Sequence, residues 1–114
     1  MDLYSLSLKD IAQKIKSKQV TIKEVLDSVY SRIDEKEEVL GAYVTLTKEA
    51  AYKKGEELQK KLDAGEAIGA LGGVPIAIKD NICTDGVKTT CASRMLEDFV
   101  PIYNATVVDR LEKQ

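Results

Sequence analysis

Three polar residues at the end of a short apolar run are the part of this sequence best suited to chemistry. Lys79, Asp80 and Asn81 follow the run at 76–78, which a glycine pair and Pro75 separate from the preceding chain. A short run rich in β-branched residues, bounded by glycine and proline, indicates a buried strand. A lysine at the end of such a strand can hold its amine in an environment shielded from water. There the charged form is disfavoured and the amine becomes a candidate base.

The ordinary interpretation of Lys79 is a solvated residue just past the end of the strand. Lysine side chains are rarely buried and normally keep the ammonium group in water. Making such an amine neutral near pH 7 would cost about 4 kcal/mol, which burial can impose. Nothing inside the segment requires that burial, so the pattern alone leaves both interpretations open.

Composition restricts the class of protein. The 114 residues are 44% hydrophobic and 32% charged, with a net charge of −2 and no histidine or tryptophan. A nearly balanced charge gives no strong field for gripping nucleic acid or an anionic membrane. No signal peptide or membrane-length apolar run is visible, so we expect a cytoplasmic protein. Cys83 and Cys91 are too few for a zinc site without histidine, and we expect reduced thiols.

The first half of the chain has the pattern of helices. Ser7 is a candidate cap for a first helix, and Thr21 with Glu24 forms a capping-box sequence for a second helix that we expect to run to about Glu37. Thr47 is a candidate cap for a third helix. Apolar residues recur at helical spacing behind these caps, at Leu8, Ile11, Ala12 and Ile15, then at Ile22, Val25, Leu26, Val29 and Ile33.

The second half has the pattern of strands followed by a helix. Residues 75–82 and 87–91 are β-prone and flank a turn sequence at 84–86, so we expect them to pair as a hairpin or to lie as near neighbours. A last helix is expected to begin near Asn104 or Thr106. The predicted fold class is therefore α/β, with N-terminal helices followed by the first strands of a sheet.

Three blocks in the second half resemble the amidase signature family. They are GVPIAIKDNI at 73–82, TTCAS at 89–93 and NATVV at 104–108. The middle block and the residues at 95–101 resemble most closely the tRNA-dependent amidotransferases of that family. The resemblance implies an N-terminal helical segment at 1–70 and, at 71–114, the incomplete start of a catalytic core built on a mixed sheet. The chain would then be the N-terminal part of a longer enzyme.

The resemblance also implies a catalytic role for Lys79. The family hydrolyses amides with two serines and a lysine, one serine being held by a cis peptide, and the lysine maps onto Lys79. Asp80, Asn81, Thr90, Cys91 and Ser93 fall in blocks that line the family's active site. Ser93 matches a position that is not the nucleophile, and the glycine- and serine-rich motif that supplies both serines is not in this chain. Cys91 invites a nucleophile interpretation, but the chain has no histidine to serve it as a base.

The implied activity of the whole protein is a glutaminase half-reaction. Glutamine would be hydrolysed and its ammonia passed on, to convert misacylated glutamyl-tRNA(Gln) to glutaminyl-tRNA(Gln). Two other subunits are expected, with tRNA, ATP and Mg²⁺ bound by a partner, no metal or cofactor in this chain, and no membrane. The 114 residues alone should be inactive. The alternatives are a stand-alone amidase acting on small amides, and a folding or assembly fragment without catalysis.

Without further chain, the predicted strand and last helix lack neighbours. Backbone groups and apolar side chains of an unpaired strand meet water. We therefore expect exposed residues at Ile76, Ile78, Ile82, Val107, Val108 and Leu111.

Overall fold

The computed structural model of the chain describes residues 2–114, which form two compact units divided between Pro75 and Ile76. The helices of the first unit are α1 (Leu8–Lys16), α2 (Ile22–Leu40) and α3 (Lys48–Asp63), preceded by a 3-10 turn at Leu3–Ser5. The second unit contains a 3-10 turn at Arg94–Leu96 and one helix, α4 (Thr106–Glu112). No helix within residues 2–114 is long and apolar enough to cross a membrane.

The predicted α/β fold class is wrong for the part of the chain that the structure describes, which contains helices and no strand. Residues 75–79 have no strand beside them. The two predicted partners are near neighbours, since the Cys91 N–H donates to the Asp80 carbonyl at 3.0 Å, but they form no ladder. The turn sequence does reverse the chain, but it closes only a single antiparallel bridge between Thr84 and Val87. A β-prone segment without a ladder partner cannot become a strand, because strands form through hydrogen bonds between neighbours.

The predicted caps of the first two helices are confirmed. The Ser7 hydroxyl accepts a hydrogen bond from the Asp10 N–H at 3.2 Å at the start of α1. At the start of α2, the Thr21 Oγ1 accepts from the Glu24 N–H at 3.1 Å, and a Glu24 carboxylate oxygen accepts from the Thr21 N–H at 2.7 Å. This reciprocal pair satisfies backbone donors that a helix N-terminus would otherwise leave unpaired.

The later boundaries follow the sequence with small differences. α2 continues past the expected Glu37 to Leu40, because Gly41 adopts a left-handed φ of 57° and its N–H donates to the Glu37 carbonyl at 2.7 Å. α3 begins directly after Thr47, whose side chain makes no capping hydrogen bond. α4 begins at Thr106, one of the two expected starts.

The core of the first unit lies where the apolar faces of the helices meet. Its buried residues are Leu3, Ile11, Ile15, Ile22, Val25, Leu26, Tyr30 and Leu62. α3 approaches α2 closely through Gly55, where an added Cβ would lie 2.9 Å from the Leu26 Cδ1. The predicted buried face of α2 is largely correct, and Tyr30 is buried in addition. On α1, Leu8 was expected on the buried face but is exposed.

The segment after α3 returns to this core. Ile68 and Val74 pack against it, and Gly73 lies over Ile22 with a left-handed φ of 83°. An added Cβ at Gly73 would lie 2.7 Å from the Ile22 Cγ1, closer than real Cβ contacts allow. The glycine is therefore required both by its backbone conformation and by the space it occupies.

Candidate active site

The second unit is held together by hydrogen bonds between its loops. The segment at 83–91 is tied to the segment at 99–105 by three backbone bonds: Gly86 N–H to Pro101 O at 2.9 Å, Thr89 N–H to Phe99 O at 3.0 Å, and Ala105 N–H to Cys83 O at 2.8 Å. The buried side chains of this unit are Thr89, Thr90, Pro101 and Val108. Two of its four buried residues are thus threonines, whose hydroxyls need partners inside the unit.

The apolar residues of this unit were expected to be exposed, and some of them are. Ile76 is 42% exposed and Ile78 is 37% exposed, as predicted for residues without a covering neighbour. Val108 is only 4% exposed, so the prediction that it would lack cover is wrong. α4 thus buries one side chain of its apolar face within the described chain.

Lys79 begins a tight turn. The Ile82 N–H donates to the Lys79 carbonyl at 3.0 Å, which places Asp80 and Asn81 at the two central positions. Lys79 and Asn81 are exposed, and Asp80 is half-buried. The dry environment that the buried-strand interpretation required for Lys79 is therefore absent from the described chain, while its acidic neighbour has a defined partner.

That partner is Thr90, which binds both oxygens of the Asp80 carboxylate. The Thr90 N–H donates to Oδ1 at 2.8 Å, and the Thr90 hydroxyl donates to Oδ2 in a short hydrogen bond. The Cys91 N–H also donates to the Asp80 main-chain carbonyl at 3.0 Å. Three hydrogen bonds thus join one residue of the turn to a segment ten positions further along the chain.

The chain directly after Thr90 has an unusual backbone. Cys91 has a φ of 52° and Ala92 a φ of 56°, so two consecutive residues other than glycine are left-handed. Each such residue costs roughly 1–2 kcal/mol relative to the right-handed conformation. The surrounding bonds compensate: the Ala92 N–H donates to the Thr90 hydroxyl oxygen at 3.3 Å, and the Ser93 N–H donates to the Thr90 carbonyl at 2.9 Å. Strained backbone of this kind concentrates at functional sites.

The hydrogen bonds to Asp80 also set its electrostatics. Donation from the Thr90 hydroxyl, followed by the Thr90 N–H, lowers the pKa of the Asp80 carboxyl from its ordinary value, against a smaller opposing effect of partial burial. Hydrogen bonds to an ionised carboxylate favour the charged form. Asp80 therefore carries a fixed negative charge beside Lys79.

We expect Thr90→Val to raise the pKa of Asp80, because the variant loses the hydroxyl donor and keeps the N–H donor. The measurement is a carboxyl NMR titration of the protein. The folded-state pKa of Asp80 is depressed, so its stabilising contribution is complete above the ordinary Asp pKa of about 3.9 and is lost as pH falls through the folded value. Thr89→Val is the control, since the Thr89 hydroxyl donates only to the Val87 carbonyl at 3.1 Å. Equal midpoints for the Thr90 variant and the unaltered protein would contradict the assignment.

The structure brings together four of the six residues that the resemblance implied for the site. Asp80, Thr90, Cys91 and Ser93 are linked by hydrogen bonds, with Thr90 buried, Ser93 half-buried and Cys91 an exposed free thiol. Lys79 joins them through the chain, and Asn81 lies in the same turn. The Asp80–Thr90 pairing itself was not predicted, because a spacing of ten residues across loops has no characteristic sequence pattern.

The sequence of this chain matches a known enzyme family. Residues 24–114, which include both helical and loop regions, match the amidase family. The chain belongs to the amidase family, and the resemblance inferred from its three blocks is confirmed.

Within this family, the chain is similar to the A subunits of glutamyl-tRNA(Gln) amidotransferases. The chain is 49% identical over 112 residues to the A subunit of the glutamyl-tRNA(Gln) amidotransferase of Agathobacter rectalis, covering 98% of this chain and 22% of that protein. It is 46% identical over 113 residues to the corresponding protein of Carboxydothermus hydrogenoformans, covering 99% of this chain and 23% of that protein. The chain thus spans less than a quarter of the length of these relatives and corresponds to their N-terminal portion.

A solved structure has the same fold over this length. It is described as "An unexpected vestigial protein complex reveals the evolutionary origins of an s-triazine catabolic enzyme", and it matches with a TM-score of 0.88. The match covers 94% of this chain and 24% of that chain at 22% sequence identity. At that identity the likeness concerns the fold alone.

Proposed function

We propose that the protein containing this chain hydrolyses the side-chain amide of glutamine, with Lys79 as its proton-handling residue. The observation that supports this most directly is the 49% identity to the A subunit of a glutamyl-tRNA(Gln) amidotransferase, which extends over nearly the whole chain. The geometry adds that Lys79 starts a turn whose second residue, Asp80, is bound on both carboxylate oxygens. A fixed loop that presents one amine is suited to general acid–base chemistry.

In this proposal the amide is cleaved in two steps. A serine outside this chain attacks the glutamine carbonyl and forms an acyl-enzyme, with release of ammonia, and water then hydrolyses the ester to glutamate. A second serine passes protons between the nucleophile and the Lys79 amine. Lys79 is exposed on the described chain, so the cover that would make its amine a base comes from the remaining length of the protein. The 114 residues alone are expected to release no ammonia.

The proposal places the rest of the reaction on partners. Two further subunits complete the assembly in the cytoplasm, and one of them holds tRNA, ATP and Mg²⁺ and uses the ammonia to amidate glutamyl-tRNA(Gln). The near-neutral balance of charge in this chain, −2 over 114 residues, gives it no strong attraction for RNA. Contact with tRNA is therefore assigned to the partner.

The experiment compares amide substrates in the full-length protein with and without its partner subunits. We expect ammonia release from glutamine to exceed release from acetamide and propionamide, and to rise when the partners and charged tRNA are present. Hydrolysis of simple amides in preference to glutamine, without any effect of partners, would contradict the proposal. It would favour the alternative of a stand-alone amidase.

A further inference from the structure

We propose that Asp80 and Thr90 form a positioning pair for Lys79. The pair fixes the backbone at Lys79 and therefore the direction in which the lysine side chain extends from the loop. This inference rests on the proposed function, in which Lys79 handles the protons of amide hydrolysis. Neither member of the pair is assigned contact with substrate. Both act through the backbone that carries Lys79.

Hydrogen bonds hold the main chain on both sides of the peptide that joins Lys79 to Asp80. The Asp80 carboxylate accepts from the Thr90 N–H and hydroxyl, and the Asp80 carbonyl accepts from the Cys91 N–H. On the other side, the Lys79 carbonyl accepts from the Ile82 N–H at 3.0 Å. The peptide unit that joins Lys79 to Asp80 is therefore bracketed by hydrogen bonds, and the direction of the Lys79 Cα–Cβ bond follows from it.

The N–H, the hydroxyl and the carbonyl of Thr90 all form hydrogen bonds within the loop. Its N–H and hydroxyl donate to Asp80, its hydroxyl oxygen also accepts from the Ala92 N–H, and its carbonyl accepts from the Ser93 N–H. The side chain is buried, with 8% exposed. Cys91 and Ala92 have left-handed backbone directly after Thr90. The Thr90 hydroxyl therefore stabilises both the turn at 79–82 and this left-handed pair.

A lysine needs such support if it is to transfer protons in a fixed geometry. Its side chain has four rotatable bonds, and Lys79 is exposed on this chain. The basic atom must lie within about 3 Å of the heavy atom whose proton it takes, and a misplacement of about 1 Å can cost roughly 100-fold in rate. Rigid backbone at the root of the side chain removes one source of that misplacement.

The test compares two neighbouring threonines in the full-length protein. Thr90→Val and Thr89→Val make the same substitution at adjacent buried residues, but only the Thr90 hydroxyl donates to Asp80. We expect Thr90→Val to lower kcat for glutamine by about 10- to 100-fold with little change in KM. Thr89→Val should lower kcat less than about threefold, and Thr90→Ser, which keeps the hydroxyl, should restore most of the activity. Asp80→Asn, nearly equal in volume, should reproduce the kcat loss and serves if Thr90→Val fails to fold.

The outcomes separate this inference from the proposed function. If Lys79→Ala is inactive while Thr90→Val and Asp80→Asn keep full kcat, the positioning pair is refuted and the role of Lys79 stands. If Lys79→Ala keeps its activity, the proposed function fails first. Equal kcat losses in Thr90→Val and Thr89→Val, with Thr90→Ser no better, would assign the effect to general loss of structure and also refute the pair.

Discussion

Replacing Lys79 by alanine in the full-length protein should lower glutaminase turnover by at least about 1,000-fold, since general acid–base groups contribute up to about 10⁴-fold and the proposed mechanism uses this lysine in both steps. The fold should be unaffected, because Lys79 is exposed and its structural hydrogen bond uses the main-chain carbonyl. The measurement is the steady-state rate of ammonia release from glutamine, together with a thermal melt.

Two further variants make the Lys79 result specific. Lys79→Arg should be as inactive as Lys79→Ala, because a guanidinium stays charged at any usable pH and cannot accept a proton. Lys88→Ala removes another exposed lysine of the same unit, one that pairs with Asp98 at 3.4 Å, and should keep normal turnover. Substantial activity in either Lys79 variant would remove Lys79 from the mechanism.

The largest expected effect on stability is at Gly73. Gly73→Ala forces a left-handed φ on alanine, at roughly 1–2 kcal/mol. It also places a methyl group 2.7 Å from the Ile22 Cγ1 and 2.8 Å from the Ile22 Cδ1. Ile22 is buried in the core, so it cannot move away freely, and such overpacking adds about 1–3 kcal/mol. The free energy of unfolding, followed by urea denaturation, should fall by the sum.

Gly65 provides a matched control for this substitution. Its φ is 79°, nearly the same as at Gly73, but nothing lies within 4 Å of an added Cβ. Gly65→Ala should therefore show only the backbone cost, roughly 1–2 kcal/mol. Equal destabilisation by the two substitutions would show that Ile22 yields and that the close approach at Gly73 is not a constraint.

Local signals in the sequence predict the helices well. The start of α2 needs only the side chains of Thr21 and Glu24 and a few backbone groups, all within one turn. Its apolar stripe predicts three of the buried residues that line the core, Ile22, Val25 and Leu26. The predicted end at Glu37 is three residues early, because the helix continues until Gly41 adopts its left-handed conformation.

The strands were predicted wrongly because strand formation depends on distant partners. Ile76 and Ile78 have the β-branched composition of a strand, but pairing is a property of two segments together. The segment at 87–91 divides its main-chain bonds: the Thr89 N–H donates to Phe99 and the Cys91 N–H donates to Asp80, so no ladder forms with either neighbour. The family resemblance correctly identified the blocks but transferred the sheet of a complete core to a chain that spans less than a quarter of its relatives.

The candidate site shows the same division between local and distant information. The position of Lys79 beside Asp80 is visible in the sequence, and the family blocks include Thr90. The hydrogen bonds between Asp80 and Thr90, and the left-handed pair Cys91–Ala92, required three-dimensional structure. No residue type at these positions predicts positive φ, since neither Cys nor Ala favours it.

Intact-protein mass spectrometry of the full-length protein, quenched during glutamine turnover, detects the proposed acyl-enzyme itself. We expect a γ-glutamyl ester on a serine outside these 114 residues, and its loss in the Lys79→Ala variant. Cys91, an exposed free thiol, should carry no adduct, and Cys91→Ser should leave the ester unchanged. A γ-glutamyl thioester on Cys91, or an ester that forms at the same rate without Lys79, would rule out serine chemistry that depends on Lys79.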